Sequence, residues 1–130
     1  MAKQFTYKGK TIEELKQMSL DDFVKLLPSD QRRSFRRANF TEKYKKLMKK
    51  IEKNKGKDKP VRTHYRDIII TPEMVGAKLG IHNGKEWVVV QITEKMLGHR
   101  LGEFAITRKR VIHSGPGIGA TRGTKFVSVK

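Results

Sequence analysis

The charge of this 130-residue chain is segregated, and that constrains its folding more than any other feature. Residues 1–30 hold five basic and five acidic groups, residues 31–66 hold 15 and three, residues 67–104 four and five, and residues 105–130 six and none. The most apolar, strand-like stretch is therefore close to neutral, while the two segments flanking it, at +12 and +6, carry the whole of the net charge of +17. Charge needed only for solubility has no reason to avoid the core-forming segment, and self-repulsion on this scale costs stability unless an anion offsets it. The pattern points to a polyanionic partner. Nucleic acid fits best, because Lys and Arg side chains that neutralise phosphates release condensed counterions.

Other classes fall to length and composition. One domain of modest core is expected from 130 residues of which 36% are apolar, which leaves little material for a deep catalytic pocket. The absence of cysteine excludes a disulfide framework, thiolate zinc sites and a cysteine nucleophile. The longest apolar runs, Ile68–Ile70 and Trp87–Val90, are far too short to span a membrane. Met1–Lys10 is polar and lacks the apolar stretch of a secretory signal, so a cytoplasmic location is expected.

Along the first half, four helical patterns follow one another. Thr11 and Glu14 have capping-box spacing ahead of Ile12, Leu15 and Met18. Ser19 and Asp22 cap a second segment whose Leu20, Phe23, Val24 and Leu27 form an apolar face ending at Pro28. Ser29 is expected to cap a third, with Phe35 as its anchor and Arg32, Arg33, Arg36 and Arg37 on adjoining faces. Thr41 opens the clearest amphipathic pattern: Tyr44, Leu47, Met48 and Ile51 form a stripe surrounded by Lys43, Lys45, Lys46, Lys49, Lys50 and Lys53. Asn54–Pro60, with Lys55, Lys57 and Lys59 among Gly, Asp and Asn, reads as a flexible basic connector.

The texture turns β-rich at Val61. Arg66–Thr71 reads as a strand closed by Pro72, with a helical turn at Glu73–Val75. Ala77–His82 and Lys85–Ile92 flank Asn83-Gly84, the signal for a two-residue type I′ hairpin. The second hairpin strand is apolar on both faces and is expected to be central, with Ile68–Ile70 beside it and Trp87 in the core. From residue 108 the chain is basic and glycine-rich, without acid or apolar core. The fold class is therefore α+β: a small three-stranded mixed sheet with short helices, divided as a helical extension over 1–60, a sheet core over 61–107 and a tail over 108–130.

Two sharper chemistries are weaker. Gly117-x-Gly119 is followed by Arg122 where a dinucleotide loop needs glycine, and the spacing also misses a Walker loop. No His-x-x-x-His or acidic cluster suggests a metal, and no cofactor or small-molecule substrate is expected. Among His64, His82, His99 and His113, His99 with Glu103 is the candidate pair for a small ribonuclease, although Gly98 and Gly102 weaken the helical register that pairing requires. RNA binding by a protein that stands outside any ribonucleoprotein particle is the other alternative. Base readout by an aromatic sheet is disfavoured by the scatter of Tyr7, Tyr44, Tyr65 and Trp87.

The segment Asn83-Gly84-Lys85, then Ile92, then Leu97-Gly98-His99-Arg100-Leu101-Gly102-Glu103-Phe104, then Thr107, resembles the signature of the small-subunit ribosomal protein family numbered nineteen. Lys59-Pro60-Val61-Arg62-Thr63 and Pro72-Glu73-Met74-Val75-Gly76 agree with it. The N-terminal helices and Pro116–Thr121 resemble the archaeal and eukaryotic branch, whose eukaryotic member is numbered fifteen; Arg122-Gly123-Thr124-Lys125 departs from the histidine and serines usual there. The resemblance implies a non-enzymatic constituent of the small-subunit head that binds ribosomal RNA. It also implies the head protein numbered thirteen as neighbour and a C-terminal tail directed toward the decoding region and transfer RNA. With the charge pattern, it makes RNA contacts of Arg32, Arg33, Arg36, Arg37, Lys43, Lys45, Lys46, Lys49, Lys50, Lys53, Lys55, Lys57 and Lys59. Further contacts are expected from Arg62, His64, Arg66, His82, Lys85, His99 and Arg100, and in the tail from Arg108, Lys109, Arg110, His113, Arg122 and Lys125.

Overall fold

The structure is a computed structural model that describes residues 3–112. A short antiparallel pair, β1 (Thr6–Tyr7) and β2 (Lys10–Thr11), leads into helices α1 (Ile12–Gln17), α2 (Leu20–Leu26), α3 (Ser29–Phe35) and α4 (Ala38–Lys53). The sheet follows, built from β3 (Val61–Thr63), β4 (Lys78–His82) and β5 (Trp87–Gln91). β3 runs parallel to β4 and β5 antiparallel to it, which gives the expected three-stranded mixed sheet and an α+β fold.

Local chemistry sets the helix starts. At α1 the capping box is complete, with the Thr11 side chain accepting from the Glu14 amide and the Glu14 carboxylate accepting from the Thr11 amide at 2.9 Å. Ser19 caps α2 in the same sense, its hydroxyl accepting from the Asp22 amide. Two expected starts shift. Only Leu27 and Pro28 separate α2 from α3, and Pro28 takes the cap position, so Ser29 is the first helical residue and makes no cap. Likewise α4 begins at Ala38 and not at Thr41, whose hydroxyl instead lies inside the first turn and bonds the carbonyls of Phe35 and Arg37.

The earlier start of α4 adds Phe40 to its apolar stripe. Phe40, Tyr44, Leu47 and Ile51 are buried, with Met48 packed at the margin. Phe35 stands edge-on to Phe40 and Tyr44, at centroid separations of 4.9 and 5.8 Å, and so anchors α3 to α4. The same core takes in Leu15, Phe23 and Leu27 from the neutral N-terminal helices and Leu79 and Ile81 from β4. Helices and sheet thus share one apolar cluster across residue 60.

Three sheet expectations are overturned. Ile68–Ile70 is not a sheet strand: all three residues are fully buried, and they pair through an isolated bridge with the Gly98–Gly102 segment. The bonds of that seal run from the Ile70 amide to the His99 carbonyl, from Leu101 to Ile68 and from Gly102 to Arg66, each at 2.9 Å. The strand actually beside β4 is Val61–Thr63. β5 lies at an edge and not at the centre, with Val88 and Val90 facing the core while Val89 is 59% exposed. The hairpin closes through four residues, not two. Only Gly84 has positive φ (+99°), which excludes a type I′ turn, and Asn83 Oδ1 accepts from the Lys85 and Glu86 amides. Nor is the basic connector free, since Asn54 Nδ2 donates to the Lys59 carbonyl and Lys78 pairs with Asp58 at 2.5 Å.

One polar contact inside the core has a measurable signature. The hydroxyls of Tyr44 and Thr71, both buried, share a 3.0 Å hydrogen bond, and burial pushes the phenol's pKa from its ordinary 10.0 to about 12. A raised folded-state value means that the neutral ring is favoured, so this contribution is complete below pH 10 and lost as the pH climbs toward 12. Tyr44→Phe should cost about 1 kcal/mol at neutral pH by leaving Thr71 unpaired. Urea unfolding of the two proteins side by side should show that deficit shrinking above pH 10, as the wild type alone pays to ionise the phenol.

Candidate nucleic-acid interface

Amphipathicity makes α4 the principal cationic element. With its stripe seated in the core, Lys45, Lys46, Lys49, Lys50 and Lys53 are exposed. None of these five makes an ion pair among the described residues, although Glu42 and Glu52 share the helix. Lys43 differs: it is half-buried, pairs with Asp67 at 3.5 Å and lies 5.7 Å from the Tyr65 ring centre. Five unpaired ammonium groups on a rigid helix form an array suited to consecutive phosphates.

The arginine cluster divides at the α3–α4 corner. Arg32 and Arg36 border a groove with Leu20, Val24, Phe35 and Tyr44, whereas Arg37 borders a separate hollow with Lys43, Asp67 and Arg100. Lys55, Lys57 and Lys59 are exposed on the turn that follows α4 and border a third concavity with Lys78, Asp58 and Glu73. There Lys78 holds the Asp58 carboxyl below its ordinary value. Cations therefore occupy the corner, the length and the far end of one helix.

Two arginines expected at RNA are committed inside the fold. Arg66 Nη1 donates to the His82 carbonyl at 2.8 Å, and Nη2 donates to the carbonyls of Gly102 at 2.8 Å and Ala105 at 2.5 Å. It ties the end of β4 to the 3-10 turn Leu101–Phe104. Arg100 Nη1 donates to the Asp67 carbonyl at 2.7 Å and Nη2 to Ser34 Oγ at 3.1 Å, joining α3 to the same seal. Composition cannot separate such clamps from free cations. For Arg66 the signal that could have found it is position just before the fully apolar Ile68–Ile70 run, whereas Arg100, distant from that run in the sequence, carries no such signal.

The histidines fall into two places. His99 Nδ1 meets Glu103 Oε2 at 2.7 Å, but without helical register, since His99 precedes the 3-10 turn Leu101–Phe104 and the bend at Gly98–Arg100 brings the pair together. The two side chains are 52% and 50% exposed, an open position. Gly98 is required by its backbone: φ is +76°, and a Cβ there would lie 2.7 Å from Tyr7 Oη. His64 and His82 come together with Trp87, all ring centroids lying within 4.8 Å of each other. The expected core position of Trp87 is thereby corrected. It stands on the outer face of β5, half-buried, with the Arg62 guanidinium 5.6 Å from its ring centre. Lys85 is exposed in the hairpin loop, and Arg108, Lys109 and Arg110 are exposed in chain without regular structure. His113, Arg122 and Lys125 lie outside the described residues.

Among the described residues no cluster of acidic, His or Cys side chains could hold a metal ion, and no helix is long and apolar enough to cross a membrane. What these elements define is a small α+β protein that carries unpaired cations on helices and turns anchored in a single core. Residues 33–113 match the family model for ribosomal protein S19, more than half of the chain, and the chain belongs to that family. It is a ribosomal protein of the small subunit, a class that is structural and binds ribosomal RNA. The matched span holds α4, the sheet and the Leu97–Phe104 seal, so the resemblance read from that signature rests on residues that close the core as well as on those that face solvent.

The division between clamp and free cation is testable. Arg66→Met keeps the stem and removes every donor, and should cost about 3 kcal/mol in urea unfolding because three carbonyls lose a charged partner. Lys49→Ala, at an exposed and unpaired position, should stay within about 0.5 kcal/mol of wild type.

Proposed function

We propose that the chain is a scaffold of the small-subunit head, without chemistry of its own, that holds folded ribosomal RNA through the cationic faces of α3 and α4. The observation that carries this reading is the row of exposed, unpaired lysines on a helix whose other side is fixed in the core. Arg32, Arg33, Arg36 and Arg37 extend the row at one end and Lys55, Lys57 and Lys59 at the other, and all of these side chains are exposed. A rigid row spaces its charges at the helical rise, so it can crosslink phosphates from different strands without first ordering a loop. Lys85, His99 and the exposed Arg108–Arg110 run add contacts at the ends of the sheet. Arg66 and Arg100 contribute by fixing the geometry.

The finer assignment is of the same kind. The archaeal and eukaryotic branch, with its eukaryotic member numbered fifteen, is supported by the helices that precede the matched span. From that branch follow a cytoplasmic ribosome, the head protein numbered thirteen as neighbour, and a tail over 108–130 directed toward the decoding region and transfer RNA. The 1–60, 61–107 and 108–130 division then describes roles in binding, since the core itself runs across residue 60.

Salt dependence tests the proposal. If about eight phosphates are neutralised, a plot of log affinity against log salt for the full chain and a small-subunit RNA fragment should have a slope on the order of −6 to −7. A slope near −2 would contradict it. The His99–Glu103 contact at 2.7 Å favours one second reading, a ribonuclease. Incubation of the same labelled RNA with the protein decides between them, because cleavage that His99→Ala abolishes would overturn the scaffold.

A further inference from the structure

The outer face of the sheet carries an arrangement that phosphate neutralisation leaves unexplained. Alternation along β4 and β5 sends Leu79, Ile81, Val88 and Val90 to the core, and so places His82, Trp87 and Val89 on the opposite side. The register sets Trp87 directly across from His82, and His64 follows β3 at the same end of the sheet. Three rings consequently meet at centroid separations of 4.6, 4.7 and 4.8 Å, with interplanar angles of 42°, 66° and 72°.

The chain's single tryptophan is thus half-buried among rings at the surface, and it is absent from the side chains that pack on the core. In a structure that buries phenylalanines at positions 23 and 40, an indole on a sheet face that the core of the described residues leaves open does no core packing. The platform is also held in place. Gly84 donates its amide to His82 Nδ1 at 3.0 Å, which makes that nitrogen an acceptor, and Arg66 ties down the His82 carbonyl. Opposite β4 residue Gly80, the Arg62 stem crosses the sheet, a Cβ at position 80 standing 3.4 Å from Arg62 Cγ, and brings the guanidinium to the indole.

We propose that His64, His82 and Trp87, with Arg62, form a stacking platform for an unpaired nucleobase of the bound RNA. This rests on the RNA-binding reading above and deepens it: the helices take phosphates, and the sheet takes a base. The chemistry selects that occupant. Aromatic faces beside an arginine suit a flat π system attached to an anionic backbone, and Lys85 in the adjoining loop supplies a cation for its phosphate. Stacking tolerates any base, so the platform selects single-stranded or bulged RNA over a continuous duplex without reading sequence.

The lone tryptophan lets the test run on the unaltered full chain. Its emission is followed during titration with a single-stranded oligoadenylate of about 12 nucleotides and, separately, with inorganic polyphosphate at matched charge. Stacking predicts strong quenching by the oligoadenylate and none by polyphosphate. His64→Ala, at an exposed position outside the core, should weaken oligoadenylate binding roughly 5- to 10-fold and leave the salt slope unchanged. Oligoadenylate that binds with the expected salt dependence yet leaves the emission untouched would overturn the platform and spare the phosphate interface. Failure of both polyanions to bind would remove the RNA-binding reading, and the platform with it.

Discussion

Everything in this molecule depends on one helix being asked to do two incompatible things. The stripe of α4 that runs through Phe40, Tyr44, Leu47 and Ile51 must lie dry against the sheet, while lysines on its remaining surface must stay wet. Burial of four such side chains contributes about 1.5–3 kcal/mol each, enough to hold a helix whose exposed lysines repel one another. Phe35 extends the contact to α3, and the Tyr44–Thr71 hydrogen bond fixes the helix's depth on the buried Ile68–Thr71 run. Hydrophobic burial thus places positive charge where electrostatics alone would disperse it. An anionic partner would relieve that repulsion, so the fold and its ligand stabilise each other.

The buried isoleucine run poses the second constraint. Ile68–Ile70 has no exposed side, and it lies outside the three-stranded ladder, joined to the Gly98–Gly102 segment by an isolated bridge at Ile69 and Arg100. Its backbone groups are satisfied by the Gly98–Gly102 segment, the Arg100 guanidinium takes the Asp67 carbonyl just before it, and Arg66 clamps the opposite side of the seal at the Gly102 and Ala105 carbonyls. This explains the density of glycine in the signature. Gly98 adopts a conformation that other residues rarely take and sits where a Cβ would press on Tyr7, and Gly102 passes so near Arg66 that an added Cβ would lie 3.1 Å from its carbonyl oxygen. Features that identify the family in sequence are here the means of sealing a core.

Legibility in the sequence followed the range of the interaction concerned. Capping at Thr11 and Ser19, the stripe of α4 and the existence of a hairpin are set by neighbours a few positions apart, and all were readable. Strand order was not. The run Trp87–Val90 is apolar at every position, which implies a central strand, but its edge place follows from Val61–Thr63 pairing with Lys78–His82 while Ile68–Ile70, expected beside Trp87–Val90, pairs with the Gly98–Gly102 segment. That choice is made by carbonyls and guanidiniums far apart in the chain, as between Arg66 and Ala105. The cationic surface was legible as a whole because charge sums over residues, whereas the internal duty of Arg66 and Arg100 was hidden, since one residue type serves both purposes.

Trp87 joins these strands of reasoning. Tryptophan in an apolar strand is ordinarily a core residue, and the expectation failed because β5 is an edge strand whose alternate face, among the described residues, is not part of the core. The error is informative: the same alternation that buries Val88 and Val90 obliges Trp87 and Val89 to face outward, so the sheet cannot keep both sets dry. A fold that only needed to stay soluble would place polar residues there. Here the outward set is aromatic and aliphatic and lies beside Arg62, while the inward set completes the core, and this division of one strand parallels that of α4 into an apolar stripe and a cationic face. Both elements are anchored on one side and leave a chemically distinct surface on the other. In one case that surface suits the phosphates of an RNA, in the other its bases.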